Sequence, residues 1–166
     1  MDSKKFLFSK RLLIVDDEKD VLETLVGLLE VCKIDTASSF EEAKQLLETY
    51  EYDMVVLDIM GVRGFELLEL AKSRGFPALM LTAHSLNAES LGRVARQGAA
   101  YFVPKDKINE IATYVSDVLK AKEANQNPWI RWMERLGGFF DIIFTGPDWR
   151  EQQKDIMEKL KRQRYE

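Results

Sequence analysis

Carboxylate, hydroxyl and ammonium side chains directly follow short apolar runs at four places in the chain. They are Asp16 with Asp17, then Asp58, Thr82 and, after one proline, Lys105. Carboxylate oxygens are ligands that Mg²⁺ prefers, and a carboxylate can act as the nucleophile in aspartyl-phosphate chemistry. A lysine ammonium and a threonine hydroxyl are suited to hold phosphoryl oxygens. These residue types indicate phosphoryl transfer to a carboxylate, provided that the fold brings them together.

Four short apolar runs and one weaker run, 34–37, predict strands, and the four precede the residues named above. The runs are 12–15, 34–37, 54–57, 78–81 and 101–103. Residues with helical spacing follow each run, and Ser39 with Glu42 forms a capping-box pattern where one helix begins. Apolar strands that alternate with helices are typical of a parallel sheet covered on both faces. We therefore predict an open, doubly wound α/β domain with five parallel strands.

Ligands of a doubly wound sheet bind outside the carboxyl ends of the strands. The three aspartates, Thr82 and Lys105 all stand at such ends, so we expect them along one edge of the sheet. Carboxylates this close repel one another unless a cation lies among them. Mg²⁺ and the ammonium of Lys105 are the two candidates. Each residue alone is an ordinary loop residue, whereas the set in this order is specific.

Four stretches of the sequence resemble the receiver domain of two-component response regulators. They are 13–18, 55–58, 81–83 and 103–105, and the resemblance extends over 11–122. It implies a flavodoxin-like receiver fold. It also implies that Asp58 accepts a phosphoryl group from the phosphohistidine of a histidine kinase or of a phosphotransfer protein.

The resemblance further implies a Mg²⁺ site built from three parts of the chain. Asp17, Asp58 and the backbone carbonyl of Met60 would ligate the ion. Asp16 would act mainly through a water molecule.

Switching, in the same family, couples the phosphoryl group to a threonine and an aromatic residue. By resemblance, Lys105 would pair with the phosphoryl group and Thr82 would move to bond it. Phe102 occupies the place of the aromatic switch residue and can swing inward, but it has no hydroxyl to offer. A domain of this kind is a phosphoacceptor rather than an enzyme, with at most weak self-phosphorylation and self-dephosphorylation.

Two departures from the family pattern lie in the loops around the predicted site. The segment 58–64 is shorter than usual and has no proline, which bears on metal affinity and on the lifetime of the phosphoryl group. Within it, Arg63 either approaches the phosphoryl group or faces solvent. Lys105 is followed by Asp106 where the family often has proline, and both isomers of that peptide stay open.

Composition restricts the classes of function that the chain can have. The net charge of −4 over 166 residues argues against sequence-independent binding to nucleic acid, which needs a basic surface. Cys32 is the only cysteine, which excludes an internal disulfide and suits a reducing cytoplasm. The apolar runs are too short to span a membrane. We expect a soluble cytoplasmic protein.

A polar break divides the predicted receiver domain, 1–124, from a C-terminal helical extension, 125–166. Aromatic residues at helical spacing predict a first helix that begins at Pro128, and a second, polar helix is predicted around Trp149. We expect no independent output domain here, because the extension is too short for a usual DNA-binding domain.

The aromatic helix of the extension has four possible places. It packs on the receiver domain, forms the seam of a homodimer, contacts another protein, or lies in a membrane interface. Interfacial helices need a strongly cationic polar face, and Arg131 and Arg135 are the only basic residues in this one. We therefore disfavour the membrane.

Two functions remain after this reading. The first is a phosphorylation-dependent switch that signals through contacts with an unidentified downstream protein. The alternative is a pseudo-receiver that acts as an unphosphorylated scaffold or dimerisation module, which the shortened loop favours. A phosphatase with an aspartyl-phosphate intermediate is disfavoured, because its general acid would stand two residues after Asp58, where this chain has Met60.

Overall fold

A five-stranded parallel sheet forms the centre of the molecule. The computed structural model describes residues 3–83 and 88–143. The strands are β1 (Arg11–Val15), β2 (Lys33–Ala37), β3 (Met54–Asp58), β4 (Ala78–Thr82) and β5 (Tyr101–Pro104). Each strand contains the apolar run that predicted it, and all pairings are parallel. Every residue of β3, β4 and β5 is buried, as expected for strands covered on both faces.

Seven α-helices and one 3₁₀ helix accompany the sheet in the described residues. The α-helices are α1 (Ser3–Leu7), α2 (Lys19–Leu28), α3 (Phe40–Thr49), α4 (Gly64–Ser73), α5 (Ala88–Arg96), α6 (Ile111–Glu123) and α7 (Pro128–Ile143), and the 3₁₀ helix is Lys105–Glu110. The sequence did not predict α1. Helical residues were expected after the last strand, but α6 begins only at Ile111 because the 3₁₀ helix comes first.

The strand order is β2-β1-β3-β4-β5, which confirms the doubly wound topology. After β2 the chain returns past β1 to β3, so the direction of winding reverses between β1 and β3. A crevice opens at such a switch point, outside the carboxyl ends of the two strands. Asp16 and Asp58 stand at those two ends.

Helix α3 begins with the predicted capping box, except that the Glu42 carboxylate accepts from a different backbone N–H than expected. The Ser39 hydroxyl accepts a hydrogen bond from the backbone N–H of Glu42 at 3.2 Å. The Glu42 carboxylate reaches back to the N–H of Ser38, at 2.8 Å, rather than to that of Ser39. Both bonds satisfy N–H groups near the helix start.

Helix α7 packs on the α/β domain, against β5 and α6. Trp129 and Trp132 are buried, and their indole N–H groups donate to the carbonyls of Ala99 and Phe102. This observation favours the first of the four places considered above. The predicted second helix around Trp149 lies outside the described residues. Within 3–83 and 88–143, no helix combines the length and the apolar character that crossing a membrane requires.

Candidate functional site

Asp16 and Asp58 face each other across the switch point of the sheet. β1 pairs with β3 so that Val15 lies opposite Leu57, and the two aspartates are the next residues along. Asp16 is fully buried and Asp58 is 4% exposed, whereas Asp17 lies at the surface. The strand ends thus place two carboxylates in a site largely closed to water.

Lys105 supplies the positive charge that these carboxylates need. It follows β5, and its side chain brings the Nζ atom to 3.1 Å from Asp16 Oδ2 and 3.4 Å from Asp58 Oδ1. The shortest contact is with Glu18 Oε1, at 2.7 Å. One ammonium therefore lies among three carboxylates.

Glu18 is the residue of this cluster to which the sequence assigned no role. It is the N-cap of α2, and its backbone N–H donates to Asp16 Oδ1 at 2.9 Å. Its side chain is 61% exposed. The sequence offered one signal for its contact with Lys105, which is that Glu18 directly follows Asp16 and Asp17.

Burial and mutual repulsion change the protonation of the cluster. Burial raises the pKa of Asp58 to about 6, and the charge of Asp16 adds to the rise, while Lys105 opposes it. Burial likewise raises the pKa of Asp16. For Lys105, burial acts to lower the pKa, but Glu18 and the two aspartates outweigh it and raise the pKa. Because a pKa of about 6 is still below neutral pH, Asp58 is mostly ionised there and lies beside a protonated Lys105.

Thr82 and Phe102 lie near the site but outside the ion-pair cluster. Thr82 ends β4 and is buried, and its hydroxyl donates to the carbonyl of Ala83 at 3.0 Å. In this structure the hydroxyl thus has a main-chain acceptor. Phe102 is fully buried in β5. Its switch role, like that of Thr82, stays a prediction.

The short loop after β3 packs tightly against the site through two glycines. Gly61 has a φ of +85°, and a Cβ there would lie 2.3 Å from Asp17 Oδ2. A Cβ on Gly64 would lie 2.1 Å from the carbonyl oxygen of Asp58. Met60, which directly precedes Gly61, is 72% exposed, so its side chain is not packed into the site.

Arg63 turns away from the cluster. Its guanidinium lies 3.9 Å from the centroid of the Phe40 ring and hydrogen-bonds to Glu66. Its side chain is 56% exposed, which agrees with the solvent-facing position of the two considered for Arg63. None of the peptide bonds in 3–83 and 88–143 is cis, so the bond between Lys105 and Asp106 is trans.

The oxygen atoms of the site suit a hard divalent cation. Carboxylate oxygens of Asp16, Asp17 and Glu18 lie within 4.8 Å of one another. Asp16 Oδ2 is buried and makes no hydrogen bond, although it is ion-paired with Lys105. Mg²⁺ needs such oxygen ligands and retains several waters, so the residues present fit it. This group overlaps with the predicted ligands at Asp16 and Asp17.

Comparison with known proteins agrees with this geometry. The sequence model of the family described as the response regulator receiver domain matches residues 12–116. The chain belongs to this family. Among solved structures, the receiver domain resembles a putative response regulator from Chloroflexus aurantiacus, with 28% identity and a TM-score of 0.60, over 68% of this chain and 98% of that one. The receiver domain of NtrX from Brucella abortus is similar, with 28% identity and a TM-score of 0.59, over 66% of this chain and 98% of that one.

Curated relatives of this receiver domain are longer proteins. The transcriptional regulatory protein YvrH of Bacillus subtilis is 32% identical over 126 residues, which are 70% of this chain and 53% of that protein. The heme response regulator HssR of Staphylococcus saprophyticus is 30% identical over 120 residues, 69% of this chain and 54% of that protein. The chain spans about half the length of these relatives. The likeness therefore concerns only the matched part of each relative.

Proposed function

We propose that this receiver domain is a phospho-accepting response regulator and that Asp58 is its phosphoacceptor. The donor is the phosphohistidine of a histidine kinase or of a phosphotransfer protein. The observation that carries the proposal is the buried Asp58 carboxylate, 3.4 Å from the Lys105 ammonium at the switch point of the sheet. The site thus contains a nucleophilic carboxylate and an ammonium that can pair with the phosphoryl oxygens after transfer.

The proposed transfer has a simple balance. An oxygen of Asp58 attacks the phosphorus, a P–O bond forms, and the P–N bond to the donor imidazole breaks. The imidazole leaves with the electron pair of that bond and takes up a proton. Lys105 then pairs with the phosphoryl oxygens, and the Thr82 hydroxyl turns from Ala83 to donate to one of them.

Asp17, Asp58 and the carbonyl of Met60 would hold Mg²⁺, with Asp16 acting through water. When bound, the ion neutralises charge on the phosphoryl oxygens, which is the main need of this chemistry. The residues themselves position the acceptor oxygen and exclude bulk water, because Asp16 and Asp58 are buried.

We propose protein–protein contact as the output, in the cytoplasm. Some relatives are named as transcriptional regulators. The net charge of −4 does not favour direct contact of these 166 residues with DNA. A downstream protein, or a second copy of this chain, is the partner that we propose.

Intact mass spectrometry tests the proposal. The protein is incubated with Mg²⁺ and acetyl phosphate, beside Asp58→Asn, which keeps the size of the side chain. We expect one phosphoryl mass on the wild type, none on the variant, and none when Mg²⁺ is chelated. A wild type that stays unlabelled while a known receiver is labelled in the same tube would refute the assignment.

One observation favours the scaffold alternative. The short loop packs Gly61 against the Asp17 side chain and Gly64 against the main-chain carbonyl of Asp58, so it lies tightly on a predicted metal ligand and on the backbone of the acceptor residue. The same experiment separates the two functions if beryllium fluoride, a stable phosphoryl mimic, is added as a second probe. A scaffold takes up neither probe, whereas a working acceptor binds beryllium fluoride even when its acyl phosphate is short-lived.

A further inference from the structure

Helix α7 contacts the chain on both sides of Lys105. On one side, Trp132 Nε1 donates to the carbonyl of Phe102 at 2.7 Å. On the other side, Lys107 Nζ lies 4.9 Å from the centroid of the Phe139 ring. The segment that carries Lys105 is therefore held by the same helix before and after that residue.

The docking of α7 is extensive. Trp129, Trp132 and Leu136 are buried, and the two indole rings are 5.0 Å apart between centroids. Buried indoles contribute large apolar areas, and each here also finds a hydrogen-bond acceptor. Arg135 adds an ion pair with Asp117 of α6. The described part of α7 is thus a packed element of the domain.

A phosphoryl group on Asp58 would change the partners of Lys105. The ammonium is now closest to Glu18, at 2.7 Å, and farther from Asp58, at 3.4 Å. A phosphoryl group brings additional negative charge and strong acceptor oxygens, so it competes with Glu18 for the ammonium. Glu18 is the weaker competitor because its side chain is 61% exposed. Movement of Lys105 toward Asp58 pulls on the segment that α7 holds.

We propose that β5 and α6 form an interaction surface whose partner in the unmodified protein is α7 of the same chain, and that a phosphoryl group on Asp58 weakens this docking at the contact between Trp132 and Phe102. The inference rests on the proposed function. Because coupling between two sites is reciprocal, loss of the Trp132 contact must in turn favour occupation of Asp58. The coupling can therefore be measured from either end.

Two matched tryptophan variants test the coupling from α7. Trp132→Phe and Trp129→Phe each remove one indole N–H from the same buried face. Trp132 bonds Phe102, three residues before Lys105, whereas Trp129 bonds Ala99, ahead of β5, at 3.0 Å. Binding of beryllium fluoride in the presence of Mg²⁺ is measured for the full chain. We expect Trp132→Phe to bind roughly fivefold more tightly than the wild type, a modest value for such coupling, and Trp129→Phe to bind like the wild type.

Equal affinities of the two variants would overturn the inference. Thermal melting of both proteins shows whether they remain folded, so a general loss of structure is recognised. If only Trp132→Phe failed to fold, Lys107→Gln would replace it, because it removes the cation beside the Phe139 ring on the far side of Lys105. Lys107→Gln must then bind beryllium fluoride more tightly than the wild type does.

Fluorescence tests the coupling from Asp58. The chain has three tryptophans, so Trp129→Phe with Trp149→Phe leaves Trp132 as the only indole. With Mg²⁺ and beryllium fluoride, we expect its emission to move to longer wavelength and acrylamide to quench it more strongly. An unchanged spectrum, with the mimic shown to be bound by fluorine NMR, would refute the coupling alone. Absence of both mimic binding and a phosphoryl adduct would refute the proposed function, and the inference with it.

Discussion

Asp58 is buried beside a second carboxylate, and this makes its ionisation unfavourable for the folded state. Its pKa is raised from 3.8 to about 6, first by burial and then by Asp16. Because the folded state holds the proton more tightly, the unfavourable contribution is full above pH 6 and disappears as the pH falls toward the ordinary pKa.

We therefore expect Asp58→Asn to stabilise the protein at pH 8 by on the order of 2 kcal/mol, since the amide cannot ionise. The gain should shrink as the pH is lowered through 6 and be lost near pH 4. Urea unfolding of both proteins, without Mg²⁺, measures the difference at each pH. A gain that grows toward acid pH would contradict the raised pKa.

Gly64 is required by its contact with the residue that carries the acceptor. A Cβ on Gly64 would lie 2.1 Å from the Asp58 carbonyl oxygen, which is main chain and cannot easily move. We expect Gly64→Ala to destabilise the protein by about 1–3 kcal/mol, as overpacking does. Gly27→Ala is the matched control, because a Cβ on Gly27 meets nothing within 4 Å. Chemical denaturation of both variants measures the effect, and equal free energies of unfolding would argue against the tight loop.

The sequence predicted the meeting of Asp16, Asp58 and Lys105 because the ends of parallel strands fix where the next residues lie. It did not predict Glu18 as the nearest partner of Lys105, because two long, flexible side chains decide that contact. The position of the Thr82 hydroxyl was also beyond reach, since a hydroxyl rotates to whichever acceptor is near.

At the scale of elements, α3 begins at an N-cap residue, Ser39, that the sequence predicted. Ser39→Ala removes the acceptor of the Glu42 N–H and should lower the free energy of unfolding by about 1 kcal/mol. Ser38→Ala is the control, because the bond from residue 38 to Glu42 uses the backbone N–H and survives the change. Thermal or urea unfolding compares them. A larger loss for Ser38→Ala would show that the Ser39 cap is not the main contact.

Strands β1, β3, β4 and β5 were predictable because buried strands of a parallel sheet are apolar almost throughout, whereas β2 is partly exposed and gave a weaker pattern. The short helix α1 was not, since five residues carry too little periodicity to identify a helix. It packs against α6, with Leu7 fully buried, so its stability comes from tertiary contact. The 3₁₀ helix before α6 was missed for a similar reason, because its composition does not distinguish it from an α-helical turn.

For the molecule as a whole, Mg²⁺ should act as a stabilising ligand. An ion that binds the folded state alone raises stability according to its concentration and affinity. We expect Mg²⁺ to raise the melting temperature of the wild type and of Glu48→Gln, a variant that removes one exposed charge outside the site. Asp17→Asn should respond much less. An equal response of the two variants to Mg²⁺ would place the ion elsewhere.

The position of α7 has a consequence for association between molecules. β2 and β5 are the edges of the sheet, and an open edge is a template for strand pairing with another chain. β2 carries the charged residue Asp35, and a charge on an edge strand disfavours pairing with another chain. Arg11 and the Tyr52 hydroxyl both donate to its carboxylate. β5 is instead covered by α7, whose two indole N–H groups donate to the main-chain carbonyls of Ala99, just before β5, and of Phe102 within it. A form of the protein in which α7 leaves β5 therefore exposes an aggregation-prone edge unless another molecule covers it.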